Sequence, residues 1–225
     1  MIFNDDIVFI HIGKTGGMSC ASYLLQSLKP PIYNCHAEAA EEGDTLARDG
    51  IIPLVTVNRH CTLRAANEHI LRLTGRSALD RQKIIAVIRN PYELEYSFYR
   101  HLQKPEVIAR RRAKAPALLA LAQGNFRDFA LGAGYHRENL RQEDYFLLDD
   151  ELPETLQIVR YENLESAFTA AVAPYLMEGV AVEFPRLNRS GEGGALASVL
   201  DTETRHIIYR KHRYVFDHFY PELIP

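Results

Sequence analysis

The chain has 225 residues, 47% of them hydrophobic, which suits one globular domain with a substantial core. Its net charge of −3 gives no global attraction to nucleic acid or to an anionic membrane, so any basic site must be local. Three widely spaced cysteines (Cys20, Cys35, Cys61) leave no CxxC zinc pair and no complete disulfide framework.

In chain order, IVFIHI (7 to 12) is a mostly β-branched apolar run that ends at Gly13, which predicts a buried strand. Met18, Ala21, Leu24, Leu25 and Leu28 then recur at helical spacing, and Lys29-Pro30-Pro31 closes that helix. IIPLVTV (51 to 57) predicts a second strand and CTLRAANEHILRL (61 to 73) a helix. KIIAVIR (83 to 89) is the clearest strand, and Pro91 opens a helix that runs to about His101. Residues 105 to 150 read as helical or irregular, with the basic cluster Arg110, Arg111, Arg112 and Lys114, which could attract an anionic glycan but has the commoner pattern of a solvated helix face. TLQIVRY (155 to 161) is a further strand, ENLESAFTAAVAPYL a helix, and 201 to 220 a single closing helix with an aromatic stripe. Gly191, Gly193 and Gly194 mark a loop.

Apolar strands alternating with helices imply an α/β fold: a three-layer sandwich with a central, mainly parallel sheet, built as a single domain over 1–225. The N-terminal stretch MIFNDDIVFIHIGK carries two acids ahead of a short apolar run, unlike a signal peptide, and nothing reaches the length of a membrane span. With three widely spaced cysteines that cannot all pair, that predicts a cytoplasmic protein.

Ligands of a parallel α/β sheet bind beyond the carboxyl ends of its strands. GKTGGMS (13 to 19) lies at that edge and opens a helix, the setting of an anion site. Gly16 and Gly17 would let backbone approach an anion, Lys14 adds a charge and Ser19 a hydroxyl. The order is not that of an ATP-binding G-x-x-x-x-G-K-(S/T) loop, because Lys14 precedes the glycines and the position five before Gly13 is Val8. Arg89 ends the KIIAVIR strand and Ser97 falls about two turns into the next helix, which predicts a second anion site and hence a ligand with phosphate at both ends.

GKTGGMS and RNPYELEYSFY (89 to 99) together resemble the motifs PKTGGTS and RDPYERLLSAY of sulfotransferases that use 3′-phosphoadenosine 5′-phosphosulfate (PAPS), in particular the carbohydrate-type branch. RYENL (160 to 164) and LNRSG (187 to 191) resemble two later segments of that family. The resemblance implies a P-loop-like sulfotransferase architecture, with Lys14 on the 5′-phosphate and the oxygen that bridges to the sulfuryl group. It implies that Thr15, Gly16, Gly17, Met18 and Ser19 cradle the phosphosulfate, that Arg89 and Ser97 hold the 3′-phosphate, and that Asn188 and Ser190 lie near the nucleotide. Met18 departs from a usual threonine, Leu94 from a frequent arginine and Gly13 from a usual proline.

An acceptor hydroxyl needs a general base, and histidine suits neutral pH. His60 follows the second predicted strand and matches the family segment that supplies the base in several members, so it is the expected base. A capping or surface histidine is the competing reading. His11 reads as a structural hydrogen-bonding residue; His36, Glu68 and His69 are reserves; His101, His206, His212 and His218 read as surface or core-edge residues. The expected activity is transfer of a sulfuryl group from PAPS to a hydroxyl of a carbohydrate or glycoconjugate, with no metal, no nucleic acid and no membrane span. The alternatives are a P-loop nucleotide or small-molecule kinase and a non-catalytic nucleotide-binding protein.

Overall fold

A computed structural model of the chain describes residues 1–35, 50–54, 57–134, 140–187 and 194–225. They form two compact units: 1–88 with 144–188, and 89–143 with 189–225.

The first unit is an α/β unit with a six-stranded, mostly parallel sheet. Its strands are β1 (Ile2–Phe3), β2 (Ile7–Ile10), β3 (Ile32–Asn34), β4 (Ile51–Pro53), β5 (Lys83–Ile88) and β6 (Leu156–Arg160), in the order β4-β3-β1-β2-β5-β6. The β2–β5, β5–β6 and β3–β4 pairings are parallel, while β1 runs antiparallel to both neighbours. β2 and β5 lie within the apolar runs at 7–12 and 83–89, ending at Ile10 and Ile88. The 51–57 run forms strand only as far as Pro53, and Val55 and Thr56 lie outside the described residues.

β1 and β3 have two and three residues, too short for an alternation signal to emerge from sequence. The turn between β1 and β2 is built by Asn4, whose Oδ1 accepts from the amides of Asp6 and Ile7, both at 2.9 Å. Fully buried Arg81 donates to the Asp5 carbonyl at 2.9 Å and to Thr74 Oγ1 at 3.1 Å, tying that turn to the approach of β5.

Side chains alternate across a strand, so each face of β2 and β5 has its own set. Phe9, Ile85 and Val87 share one core with Cys20, Ala21 and Leu24 of helix α1 (Gly17–Ser27) and with Phe168 and Val172 of the Leu164–Val172 helix. Phe9 meets Phe168 edge-on at 5.4 Å. The opposite set, Val8, Ile10, Ile84, Ala86 and Ile88, is equally buried, as expected of a parallel sheet buried on both faces. Helix α2 (Leu63–Thr74) starts two residues later than periodicity alone indicates, because Thr62 caps it by accepting from the Ala65 amide at 3.3 Å. All three cysteines are buried free thiols, and burial pushes the Cys35 thiol up to about 12.

The second unit is helical. Asn90 caps the Pro91–Leu102 helix by accepting from the Tyr92 amide at 3.0 Å, with Pro91 in the first turn where its missing N–H costs nothing. The 105–150 stretch supplies helices Pro105–Arg111, Pro116–Gln123 and Phe126–Gly132. Arg110, Arg112 and Lys114 are exposed, in keeping with a solvated face.

The expected single closing helix is instead two, Thr202–Lys211 and Arg213–Phe219, parted at His212 (φ −118°, ψ 30°). His212 is also fully buried, which corrects its reading as a surface or core-edge residue. The cause is Glu95, itself fully buried, whose Oε1 accepts from His212 Nε2 at 2.8 Å and from Lys211 Nζ at 2.7 Å. The chain leaves helical geometry where two consecutive side chains must turn inward to one carboxylate.

Burial acts to raise the Glu95 pKa, but the His212 hydrogen bond and the Lys211 and His212 charges outweigh it and hold the carboxyl below its usual value of 4.5. A carboxylate with a depressed folded pKa contributes stability that is present above its unfolded pKa and lost as pH falls through the folded one. Acid unfolding followed by circular dichroism should therefore show an acid limb below about pH 4.5 that Glu95→Gln flattens. At neutral pH the same variant should lose about 3–5 kcal/mol, the cost of breaking a buried ion pair.

Candidate functional site

The turn after β2 has an alternating backbone. Lys14 (φ 68°) and Gly16 (φ 81°) are left-handed, whereas Thr15 and Gly17 are not. Alternation of this kind is the backbone pattern of anion-binding nests, and here it stands just ahead of α1. The amides of Ser19 and Cys20 are taken by the Gly16 carbonyl at 3.0 and 3.3 Å, so any cradle lies ahead of them. Holding a lysine in this region costs about 1–2 kcal/mol, strain of the kind that collects at ligand-binding turns.

The two glycines have distinct reasons. A Cβ on Gly17 would lie 1.9 Å from Cδ2 and 2.1 Å from Nε2 of His11, so the imidazole occupies the space a side chain would need. A Cβ on Gly16 would lie 2.6 Å from Leu164 Cδ2 and 3.0 Å from Tyr161 Cε2. The RYENL segment thus packs against the turn through Tyr161 and Leu164.

The hydroxyls are committed in part. Buried Thr15 donates Oγ1–H to the Ile12 carbonyl at 2.9 Å, which closes the turn from inside. Ser19, also buried, accepts the Leu187 amide at 3.0 Å and keeps its own hydrogen as a donor. Met18, where the sulfotransferase motif that this turn resembles has a threonine, is 40% exposed.

His60 lies beside this turn. Its Nδ1 is 2.9 Å from the His11 carbonyl oxygen, and the two imidazoles are 4.4 Å apart. A carbonyl oxygen can only accept, so Nδ1 carries the hydrogen and, in the neutral ring, Nε2 is the basic nitrogen. Asn58 Oδ1 accepts the His60 amide at 3.0 Å and fixes the turn that presents the ring. Residues Lys14, Thr15, Gly16, Gly17, Met18 and Ser19 are consecutive in this turn and the start of α1, and His60 is linked to them through His11, whose ring borders Gly17. Glu68 and His69 lie in the middle of α2, past its N-terminal turn. His36, Asn188 and Ser190 lie outside the described residues.

In the second unit, Arg89 directly follows β5 in the chain, and its side chain is 9% exposed. Its Nε and Nη2 both donate to Glu93 Oε2, at 3.3 and 3.0 Å. Arg89, Glu93 and Ser97 are spaced by four, the spacing of one helix face, and Ser97 is buried. Arg89 is thus held by a carboxylate in the manner in which it could hold a phosphate.

Two partners escaped sequence reasoning, Glu93 and Gln142 at the Arg89 backbone; His11, read as a structural hydrogen-bonding residue, accepts from His60 through its carbonyl and packs its ring against Gly17. Only Glu93, at i+4, carried a legible signal. Among the described residues, no helix is long and apolar enough to cross a membrane. The chain matches no protein-family model, no curated protein and no solved structure.

Proposed function

We propose that this chain is a PAPS-dependent sulfotransferase that acts on an acceptor hydroxyl of a carbohydrate or glycoconjugate. The observation that supports it most is the pairing, within one unit, of an alternating Lys14–Gly17 turn with a histidine whose Nδ1 is committed to His11. A cradle for an anion and an oriented base beside it are what a charge-stabilised group transfer to a hydroxyl requires.

Three features of the turn support a phosphosulfate: the left-handed Lys14 and Gly16, the lack of room for a side chain at Gly17, and a Ser19 hydroxyl that accepts the Leu187 amide and keeps its hydrogen. PAPS, when bound, supplies the activated sulfuryl group and a phosphate leaving group. Lys14 would neutralise the charge that grows on that phosphate oxygen as its bond to sulfur breaks. His60 Nε2 would take the acceptor's hydroxyl proton as the acceptor oxygen bonds to sulfur. Arg89 and Ser97 are assigned the 3′-phosphate, with Glu93 sharing or yielding the guanidinium. Lys and Arg supply the positive charge, so the proposal invokes no metal. Three buried free thiols accord with a reducing compartment, and the cytoplasm is the proposed location.

Calorimetry tests the nucleotide. Adenosine 3′,5′-bisphosphate should bind far better than ATP or AMP. Loss of one charge-assisted phosphate contact in Lys14→Ala or Arg89→Ala should weaken it about 10–100-fold. Magnesium-dependent phosphate transfer from ATP would overturn the proposal in favour of a kinase. Tight bisphosphate binding without turnover on glycan and small-alcohol acceptors would instead leave a binding protein.

A further inference from the structure

The last residue of the KIIAVIR run needs a partner that the sheet does not supply. Ladder pairing to β6 ends at Ile88, opposite Arg160, and Arg89 stands one residue beyond. Its backbone is nevertheless fully bonded. The Arg89 amide donates to Gln142 Oε1 at 2.8 Å, and Gln142 Nε2 donates to the Arg89 carbonyl at 2.9 Å. One primary amide thereby reproduces the two-way exchange of a strand neighbour, across 53 residues of chain. Gln142 is fully buried. Asn90 begins the cap of the next helix immediately afterwards, so Arg89 is fixed on both sides: by Gln142 at its own peptide groups and by the capped helix that follows.

This arrangement leaves the Arg89 side chain little freedom at its root. Its head is aimed by Glu93, whose Oε2 receives two of the five guanidinium N–H groups. A guanidinium recognises a phosphate bidentately only from a defined position, and Gln142 fixes the backbone from which it extends without adding a second charge beside it.

We infer that Gln142 is a positioning residue for 3′-phosphate recognition, acting through the two hydrogen bonds that lock the Arg89 backbone. The inference rests on the proposal that Arg89 holds the 3′-phosphate. Gln142 itself touches no ligand; it sets where Arg89 points. The quantity it controls is the preference for a nucleotide that carries a 3′-phosphate over one that does not.

The test compares the affinities of adenosine 3′,5′-bisphosphate and AMP, by calorimetry, for the full chain and its variants. Gln142→Met keeps the volume and removes both hydrogen bonds. It should reduce the bisphosphate-over-AMP preference about tenfold, with AMP affinity unchanged. Gln142→Glu keeps the acceptor for the Arg89 amide but loses the donor, and should give a smaller reduction; it also serves if the methionine variant does not fold. In an Arg89→Ala background neither change should alter the preference further, which a purely structural role would not produce. A preference lost in Arg89→Ala but intact in both Gln142 variants overturns the inference and leaves the nucleotide assignment standing. A preference intact in Arg89→Ala overturns the assignment of Arg89 and the inference with it.

Discussion

Replacing His60 by alanine should lower sulfuryl transfer by about 10²–10⁴-fold, the range for losing a positioned general base, and leave adenosine 3′,5′-bisphosphate affinity nearly unchanged. The split follows from the geometry. His60 Nδ1 is engaged by the His11 carbonyl at 2.9 Å, so the ring is held from behind and, as the base, would act through Nε2. The amides and the lysine that would contact the phosphosulfate belong to the turn itself, whose shape is set by Thr15 on Ile12 and by the helix start at Gly17. The measurement is initial-rate transfer from labelled PAPS to glycan and small-alcohol acceptors, paired with calorimetry. Added imidazole should restore part of the rate in His60→Ala, since the missing function is proton acceptance. Full transfer in the variant would remove His60 as the base, and loss of both transfer and binding would make it a structural support of the turn.

How much of this was legible in the sequence depended on whether the cause was local. The strand, turn and helix at 7 to 28 follow from a short apolar run, two glycines and helical spacing, and the structure shows them within a residue or two. Pro91 as a helix opener is equally local. The interruption at His212 was not legible, because it is imposed by Glu95, 117 residues earlier in the chain. Read alone, 201 to 220 has a continuous helical pattern, and nothing in it announces a buried carboxylate that claims two neighbouring side chains. Gln142 belongs to the same class: a glutamine is read as polar surface until its partner is known, and here the partner is the backbone of Arg89.

The glycines separate two kinds of explanation. Sequence reasoning assigned both to close approach of an anion, and the left-handed Gly16 in an alternating turn suits that. Gly17 has a second and stronger constraint, the imidazole of His11, which no spacing rule could show.

That constraint makes Gly17→Ala a test whose sign discriminates. Gly17 is the first residue of α1 and has an ordinary φ, so helix propensity alone favours alanine by about 0.5–1 kcal/mol. Steric conflict points the other way. A Cβ placed 1.9 Å from an imidazole carbon must displace the ring, and His11 is 3% exposed, stacked on Phe9 at 6.0 Å and against His60 at 4.4 Å. The ring is not a loose side-chain end that can swing into solvent. Overpacking of this kind costs about 1–3 kcal/mol, enough to reverse the propensity term. The variant should therefore melt lower than the parent, and since any retreat of His11 disturbs the residue that anchors His60, transfer should fall with it. Pairing the change with His11→Ala removes the obstructing ring, so the double variant should be more stable than the sum of the two single effects predicts, a non-additivity expected only of residues in contact. An unchanged or raised melting temperature in Gly17→Ala would mean that His11 can yield. The double glycine would then be explained by the approach of the anion alone.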